Sequence, residues 1–355
     1  MANCHHSFQN FNQTIKLSDE KRKVLLSVRD SLRGRMKKTF LMIPEKERNT
    51  HTLEFQTQGS FIMDTIIRPI NDDYDLDDGV YFQGNLSSEQ RATPQVFHDL
   101  IKRSIDTGND IEQIIDKHAC VRVKYKDSKD GKDLGFHIDI PIYYADKFLN
   151  PELADTKLGW IISNPVEFIA WFEEKAKSGF EKAFLYETLL YAEPYEKWLN
   201  DIRKKDCQIR RIVRYLKAWV NLEGKKMPTG IIITILVANN LVENERDDIA
   251  LRDTLISIEN YLKGNGFKCP RPTTPVGEDL FATYTEEKKA HFKNALAEFI
   301  AAAKEAVIAD DKYESCLIWR RILGERFVCT KEDRDLSGLK KLAVPLSTAQ
   351  KPWMR

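Results

Sequence analysis

The segment from Tyr74 to Phe82 constrains the fold more than any other part of the chain. Its acidic residues Asp75 and Asp77 stand among apolar and aromatic neighbours, and the two-residue period of a β-strand places both carboxylates on one face. Gly59 and Ser60 precede this segment, and a Gly-Ser pair that opens a helix offers free backbone N–H groups to a phosphate. Because Mg²⁺ prefers carboxylates combined with substrate phosphates, the sequence predicts a strand that carries a metal site beside a phosphate-binding turn.

A third carboxylate is predicted in the segment from Phe136 to Tyr144. Alternation along a strand places three isoleucines on one face and leaves Asp139 on the other. An acid in so apolar a run requires a compensating partner. Together with Asp75 and Asp77, Asp139 can complete a site for two divalent ions, one acting on an attacking hydroxyl and one on the leaving phosphates.

A calcium-binding loop that begins at Asp73 would also use acidic residues spaced two apart. Such a loop requires glycine at its sixth position and glutamate at its twelfth. Asp78 and Gly84 stand at those two positions, so the sequence excludes this interpretation.

The composition favours a globular protein that binds small charged ligands. A chain of 355 residues with 42% hydrophobic residues is long and apolar enough for two domains or one large domain with a substantial core. Its 55 Lys and Arg residues nearly balance its 54 Asp and Glu residues. No global basic field therefore exists to gather long nucleic acids.

The cysteine pattern and the N-terminal sequence predict a cytoplasmic location. No C-x-x-C pair and no metal-ligand spacing with histidine occurs, so we expect reduced thiols and no zinc site. The N-terminus lacks the basic and then apolar run of a signal peptide, and no apolar run is long enough to span a membrane. The six cysteines are Cys4, Cys120, Cys207, Cys269, Cys316 and Cys329.

Helical periodicity dominates both ends of the chain. The segment from Leu17 to Met42 is predicted as one long helix with an apolar stripe and a basic opposite face. Two interpretations of the basic face stay open: a solvated surface, or Arg33 or Lys37 directed at a nucleotide. Further helices are predicted from Thr93 to Asp106, Ile111 to His118, Ser163 to Lys177, Arg210 to Asn221, Ile231 to Asn239, Asp247 to Leu262, Thr285 to Ile308 and Tyr313 to Leu323.

The middle of the chain is expected to complete the sheet and then change character. Val121 to Lys126 alternates as a strand and turns at Asp127 to Gly131 into the strand of Asp139, which would bring Asp139 beside Asp75 and Asp77. After Leu149 an irregular connection from Asn150 to Gly159 is predicted. We therefore expect the boundary between two lobes near residues 150–162.

A row of cations marks the predicted helix from Arg210 to Asn221. Arg210, Arg214 and Lys217 are spaced at i, i+4 and i+7, which places them on one helical face. Gathering like charges is unfavourable without an anion, so a clamp for a triphosphate is one interpretation. A solvated basic face is the other.

These motifs carry a resemblance to a known family. Gly-Ser, Asp-Leu-Asp and a lone Asp in a later strand resemble, in that order, the polymerase-β-type nucleotidyltransferases. The stretches Gln-Gly-Ser-Phe, Tyr-Asp-Leu-Asp-Asp-Gly-Val-Tyr-Phe and His-Ile-Asp-Ile-Pro-Ile-Tyr-Tyr are more narrowly similar to the bacterial cGAS/DncV-like nucleotidyltransferases (CD-NTases). The similarity continues through Lys217, Pro228-Thr229-Gly230 and the segment from Trp319 to Gly324, so it covers most of the chain.

The resemblance implies an α+β fold. A polymerase-β-like nucleotidyltransferase lobe with a mixed sheet and helices would occupy residues 1–155, a helical lobe would occupy residues 156–330, and a flexible tail would follow at 331–355. The helix over residues 17–42 would be the spine that joins the two lobes.

The resemblance also implies roles for individual residues. Asp75, Asp77 and Asp139 would be catalytic and would hold two Mg²⁺ or Mn²⁺ ions, with Asp139 on the ion that activates a ribose hydroxyl. Lys217 matches a lysine that contacts nucleotide phosphates, and Thr229 stands where a serine usually assists it. The nucleotide-binding residues are expected to be Gln58, Gly59, Ser60, Arg214, Lys217 and Thr229.

The implied function is synthesis of a cyclic oligonucleotide second messenger for anti-phage (CBASS) signalling. ATP and GTP are the expected substrates of a purine-containing, cGAMP-like product, with Tyr81, Tyr143 and Trp160 as candidates for base stacking or plain packing. The product would act on a separate effector, alongside accessory proteins of the same system and without a DNA activator or a membrane. Two alternatives stay open: transfer of a nucleotide to an RNA, antibiotic or protein acceptor, and an inactive nucleotide-binding protein.

Overall fold

The computed structural model describes residues 1–48, 51–70, 74–105, 110–126, 136–146, 149–176 and 204–330. The strands are β1 Leu53–Gln58, β2 Tyr74–Gln83, β3 Ile111–Lys117, β4 Cys120–Tyr125, β5 Phe136–Ile140, β6 Ile142–Asp146, β7 Leu149–Asp155 and β8 Gly159–Ile162. The helices are α1 His5–Ile15, α2 Asp19–Met42, α3 Glu45–Arg48, α4 Gly59–Ile62, α5 Pro94–Ser104, α6 Pro165–Lys175, α7 Gln208–Glu223, α8 Gly230–Asn240, α9 Asp247–Gly264, α10 Glu286–Ile308 and α11 Lys312–Leu323.

The strands form one mixed sheet around β2. On one edge β2 pairs antiparallel with β1, and on the other it pairs parallel with β5 and then β6. The register with β2 is the same before and after Pro141, so β5 and β6 together act as one strand that Pro141 interrupts. Antiparallel β4 and β7 border its two halves, and β3 and β8 follow. The predicted α+β architecture is confirmed.

Alternation along β2 separates the core from the acidic face. Leu76, Val80 and Phe82 are fully buried, and Phe82 packs against Phe40 of α2 and Phe97 of α5. Helices α2 and α5 therefore cover this face of the sheet. Because neighbouring residues of a strand point to opposite faces, the carboxylates of β2 face the other side.

Two predictions about the middle of the chain are wrong. Residues Ile111–Lys117, predicted as a helix, form strand β3, because pairing with β4 stabilises two adjacent β-branched residues, Ile114 and Ile115, better than a helix does. Residues 150–159, predicted as an irregular connection, belong to the β7–β8 hairpin. The sheet therefore continues to Ile162 and crosses the expected boundary between residues 155 and 156. The predicted turn at Asp127 to Gly131 lies outside the described residues.

The spine helix α2 begins at Asp19, two residues later than predicted, because Ser18 caps it by accepting a hydrogen bond from the Lys21 N–H. A separate helix, α1, precedes it and was not predicted. Phe8 of α1 packs edge-on against Tyr215 and Trp319, and the Ala2 N–H donates to the Ala309 carbonyl. The N-terminal residues therefore belong to the helical lobe and not to the sheet lobe.

Helices α6 to α11 build the helical lobe, and their bounds agree with the predicted helices to within a few residues. Asn164 caps α6, Thr285 caps α10 and Asp311 caps α11. Within the described parts of the chain, every helix is too short or too polar to cross a bilayer. The predicted tail at residues 331–355 lies outside the described residues.

One pair of cysteines departs from the prediction of free thiols. Cys316 and Cys329 form a disulfide across a separation of 13 residues. No local sequence pattern marks this pair, because it forms only where the chain after α11 folds back until the two Cα atoms are 5.8 Å apart. Cys4, Cys120, Cys207 and Cys269 carry thiols.

Candidate active site

A cleft of about 780 Å³ separates the acidic face of β2 from the helical lobe. The sheet lobe contributes Gln58, Gly59, Ser60, Asp75 and Asp77 to its lining. The helical lobe contributes the start of α6, the C-terminal half of α7, the start of α8 and Arg271. The cleft therefore joins the predicted phosphate turn and two of the predicted carboxylates to Lys217, which also lines it.

Gly59 brings the phosphate turn into contact with the carboxylates. Its φ of +69° lies in the left-handed region, and a Cβ atom at this position would lie 2.2 Å from Asp77 Oδ2. Because α4 begins at Gly59, the N–H groups of its first turn have no partner within the helix. Only glycine allows these donors to lie this close to an acidic side chain.

The three predicted carboxylates come from adjacent strands. Asp77 lies directly opposite Asp139 in the parallel pairing of β2 and β5, which confirms that these two strands are neighbours. Burial and then the negative charges of Asp75 and Asp139 together raise the pKa of Asp77 to about 8, against the opposing effect of Lys217. Asp77 is therefore a carboxyl group whose negative charge is disfavoured in the folded chain.

Asp139 is held by two cations of its own sheet. Arg122, opposite it on β4, donates from Nε at 2.6 Å and from Nη2 at 2.7 Å, and Lys117 Nζ lies 3.6 Å away. Burial acts to raise the pKa of Asp139, but the hydrogen bonds and charge of Arg122 outweigh it and keep that pKa below its ordinary value. Asp139 is thus ionised while Asp77 resists ionisation.

The cation row on α7 contacts the phosphate turn and not only the cleft. Its three side chains donate to three consecutive backbone carbonyls that follow α4: Arg210 to Met63 at 2.6 Å, Arg214 to Asp64 at 2.5 Å and Lys217 to Thr65 at 3.3 Å. The predicted helical face is correct. Each of the three cations gives one hydrogen bond to a carbonyl of this loop, so the face holds the loop in place.

Arg214 does not lie in the nucleotide site where it was predicted. Its side chain is fully buried, and besides the Asp64 carbonyl it bonds Asn12 and Asp206. It stands outside the lining of the cleft. The sequence showed which face of α7 carries Arg214 but not that carboxylates from other segments neutralise it.

Lys217 is the member of the row that reaches the cleft. Burial lowers the pKa of its ammonium to about 8, although Asp75 and Asp77 act in the opposite direction. A Cβ atom on Gly230, at the start of α8, would lie 3.3 Å from Lys217 Cε. The lysine side chain is therefore enclosed between α8 and the loop after α4.

Thr229 lies at the edge of the cleft, and the side chain of Gln58 extends beneath it. Thr229 is exposed and its N–H donates to Tyr284 Oη at 3.1 Å, while Pro228 and Gly230 on either side line the cleft. Gln58 lines the cleft, but its amide nitrogen turns under the sheet face to donate to Tyr143 Oη at 3.2 Å.

The candidates for base stacking are packing residues in this structure. Tyr81 and Tyr143 are buried and stack on each other with ring centroids 4.7 Å apart. Trp160 stacks on the guanidinium of Arg91 at 4.3 Å. None of these three residues is part of the cleft lining that the structure describes.

The basic face of α2 contacts the face of the sheet opposite to the cleft. Arg33 donates to Asp78 and to Thr57 Oγ1, and Lys37 lies over the ring of Phe55 at 5.6 Å. Asp78 neighbours Asp77 but points to the other face. The interpretation that Arg33 or Lys37 faces a nucleotide in this cleft is therefore wrong.

Sequence reasoning missed three side chains in or close to the predicted site. Arg122 was detectable in principle, because the predicted hairpin between β4 and β5 places it on the face of Asp139. Thr65, which lines the cleft and bonds Lys217, carries no motif that marks it. Arg271 lines the cleft from a proline-rich loop of the kind that often borders a site.

Comparison with known proteins extends these observations. Residues 53–143 match the sequence model of the family "Cyclic GMP-AMP synthase DncV-like, nucleotidyltransferase domain". A cyclic GMP-AMP synthase of Escherichia albertii is 26% identical over 229 residues, which are 62% of this chain and 44% of that protein. A cyclic GMP-AMP synthase of Vibrio cholerae is 24% identical over 237 residues, which are 59% of this chain and 52% of that protein. The matched regions thus span about half the length of these curated relatives.

Solved structures share the fold over nearly the whole chain. The Vibrio cholerae DncV structure bound to 3'-deoxy GTP superimposes with a TM-score of 0.70 at 18% identity and covers 93% of this chain and 97% of its own. DncV in complex with the linear intermediate 5' pppA(3',5')pG superimposes with a TM-score of 0.66 at 21% identity, over 92% of this chain and 98% of its own. Residues 53–143 therefore match a DncV-like nucleotidyltransferase domain, and nearly the whole chain shares the fold of the DncV structures.

Proposed function

We propose that this chain is a metal-dependent nucleotidyltransferase that joins ATP and GTP and closes the product into a cyclic purine dinucleotide. The observation that carries the proposal is the direct pairing of Asp77 with Asp139 beside the Gly59 turn, in a cleft that Lys217 lines from the other lobe. Pyrophosphate is the leaving group at each step. The relatives named cyclic GMP-AMP synthases support the choice of substrates and product.

The carboxylates fit divalent ions by their chemistry. Asp75, Asp77 and Asp139 supply hard oxygen ligands, and the repulsion that raises the pKa of Asp77 is what a dication relieves. Across the described residues, no group of three acidic, histidine or cysteine side chains stands close enough together to hold a metal ion by itself, so substrate phosphates would have to complete the coordination. We propose two Mg²⁺ or Mn²⁺ ions, which when bound stabilise the charge of the attacking and leaving oxygens.

The residues around the carboxylates orient the triphosphate. The first N–H groups of α4, at Gly59 and Ser60, and the ammonium of Lys217 would contact its β- and γ-phosphates from two sides. Such contacts fix the α-phosphate opposite the attacking ribose hydroxyl, which lowers the entropic part of the barrier. Arg214 and Arg210 act only through the loop that they hold. Gln58 supports the turn through its hydrogen bond to Tyr143. Thr229 has no direct role in binding the phosphates and only precedes the start of α8.

Asp139 is suited to receive the proton of the hydroxyl. Arg122 keeps its carboxylate ionised, so that an acceptor is present at neutral pH. As the ribose oxygen bonds to the α-phosphorus, the bond to the pyrophosphate oxygen breaks and the hydroxyl proton passes to Asp139. A second transfer with the two nucleotides exchanged closes the ring.

We further propose that the cyclic product is a signal in anti-phage defence. It would bind a separate effector protein, and accessory proteins of the same system would act on the enzyme itself. A cytoplasmic location fits nucleoside triphosphate substrates.

A labelled-nucleotide assay tests this function. Purified protein is incubated with labelled ATP, GTP or both, in Mg²⁺ or Mn²⁺, and then treated with phosphatase. We expect a phosphatase-resistant product only when both nucleotides and a metal are present, with a loss of at least about 100-fold in Asp77→Asn and Asp139→Asn. Asp99→Asn, an exposed carboxylate on α5, is the matched control and should keep full activity.

Other outcomes of this assay decide between the alternatives. A linear product, or release of pyrophosphate only after an RNA, antibiotic or protein acceptor is added, would replace cyclisation by transfer to that acceptor. ATP binding without any pyrophosphate release in either metal would indicate an inactive nucleotide-binding protein. Undiminished product in Asp77→Asn would contradict the assigned site.

A further inference from the structure

We propose that Thr65 is a positioning residue of the nucleotide site, which fixes the distance between the Lys217 ammonium and the turn at Ser60. The inference rests on the proposed function only in taking the cleft to bind a nucleoside triphosphate. Thr65 lies in the loop after α4, its side chain is fully buried, and it contributes to the wall of the cleft.

The backbone of Thr65 is bonded to the phosphate turn. Its N–H donates to the Ser60 carbonyl at 2.9 Å, and the N–H of Ile66 donates to the same carbonyl at 3.1 Å. These two bonds fold residues 60–66 into a closed loop, so Thr65 cannot move without moving Ser60. The position of Thr65 is therefore tied to the position of the turn.

The acceptors of Thr65 are bonded to the other lobe. Lys217 Nζ donates to Thr65 Oγ1 at 3.2 Å and to the Thr65 carbonyl at 3.3 Å. In the neighbouring positions of α7, carboxylates fix the cations directly: Glu173 bonds Arg210, and Asp206 bonds Arg214. The ammonium of Lys217 instead has Thr65 as its hydrogen-bonding partner among the residues that the structure describes.

This arrangement leaves Lys217 ready for an anion. An ammonium has three donors, and the two acceptors of Thr65 engage two of them. A lysine side chain has a long flexible stem, and holding it in one conformation before the ligand arrives removes part of the entropic penalty of binding. Thr65 thus aims the third donor and sets how far it stands from the N–H groups at Ser60.

The test compares two substitutions of one residue. Thr65→Val keeps the branched shape and removes the hydroxyl, whereas Thr65→Ser keeps the hydroxyl. Dissociation constants of ATP and of AMP are measured by calorimetry with the full chain and Mg²⁺, since AMP lacks the β- and γ-phosphates. We expect Thr65→Val to weaken ATP binding about tenfold and to leave AMP binding within about twofold, with Thr65→Ser near wild type for both.

A second variant acts on Lys217 from the opposite side. Gly230→Ala introduces a Cβ atom 3.3 Å from Lys217 Cε at a position where alanine suits the helix, so it should fold even if Thr65→Val does not. It should also weaken ATP binding several-fold and spare AMP. In Lys217→Met, adding Thr65→Val should cause no further loss, because the two residues act as one unit.

Equal losses for ATP and AMP, or unchanged ATP binding in both Thr65→Val and Gly230→Ala, would overturn the proposal. The outcome is separable from that of the proposed reaction because binding is read without turnover. If the ATP-selective loss appears but no cyclic product forms, the positioning role stands and the proposed reaction falls. If product forms normally in Thr65→Val with unchanged KM for ATP, the positioning role falls and the reaction stands.

Discussion

The carboxyl group of Asp77 lies where the folded chain disfavours its negative charge. Its pKa is raised to about 8, first by burial and then by the charges of Asp75 and Asp139. In an unfolded chain an aspartate titrates near pH 4. Between about pH 4 and pH 8 the folded state therefore binds the extra proton, and the free energy of unfolding falls as pH rises through that window.

Asp77→Asn removes this penalty and should stabilise the metal-free protein at high pH. We expect the melting temperature of Asp77→Asn in EDTA to exceed that of wild type at pH 8 by several degrees, and by less at pH 5. Thermal unfolding followed by circular dichroism at both pH values measures the difference.

The control has the opposite electrostatic environment. A hydrogen bond from Lys102 lowers the pKa of Asp99, so Asp99→Asn should show no gain between pH 5 and pH 8. A wild-type protein as stable as Asp77→Asn at pH 8 without metal would show that the Asp77 carboxylate ionises without penalty, contrary to its surroundings.

At the scale of elements, the turn between β1 and α4 depends on one glycine. Gly59→Ala would combine a left-handed backbone with a Cβ atom 2.2 Å from Asp77 Oδ2. We expect a loss of about 1–3 kcal/mol in the free energy of unfolding and loss of detectable product, because the turn must withdraw from the carboxylate. Denaturant unfolding and the labelled-nucleotide assay measure the two effects.

Gly34→Ala is the matched control for this glycine. Gly34 is exposed in the middle of α2 and has open space around its Cα. Alanine there should stabilise the helix by about 0.5–1 kcal/mol and leave activity unchanged. Normal activity in Gly59→Ala would mean that the turn does not need to contact Asp77.

Local patterns predicted the elements that carry their own signals. Alternation identified β2 and β5, and helical periodicity identified α2 and α6. Periodicity shows which face of an element is buried but not what covers it. Arg214 was therefore assigned to a phosphate although a loop carbonyl and two other segments take its donors.

Other features depend on pairings that no local pattern contains. Strand β3 is a strand because β4 lies beside it, and the Cys316–Cys329 disulfide depends on the path of the chain after α11. The carboxylates of the site were predictable because strand alternation and neighbour order both restrict them. Thr65 was not, since its role follows from a loop closure and from the approach of a distant helix.

At the scale of the whole molecule, the first helix ties the N-terminus to the helical lobe. The ring of Phe8 contacts Tyr215, Trp319 and Phe327 with centroids 4.9–5.1 Å apart. We expect Phe8→Ala to lower the free energy of unfolding by about 3–5 kcal/mol, because it leaves a cavity among buried rings. Urea unfolding followed by tryptophan fluorescence should show the loss.

Gln9→Ala, on the exposed side of the same helix, should change the free energy of unfolding by less than about 0.5 kcal/mol. A small effect of Phe8→Ala would indicate that α1 is only loosely attached. A fragment that ends at Ile162 would leave Phe8 and its apolar neighbours on α1 without a partner, so we expect it to aggregate.

The three bonds from α7 to the loop after α4 also decide how substrates come and go. Separating the lobes at that point would break hydrogen bonds from two buried arginines and the half-buried Lys217 at once, each worth about 1.5–3 kcal/mol. The end of the cleft beside this loop therefore keeps a fixed width. In the proposed reaction, we expect nucleotides to enter and the cyclic product to leave through the outer mouth, while the triphosphate end keeps its dimensions.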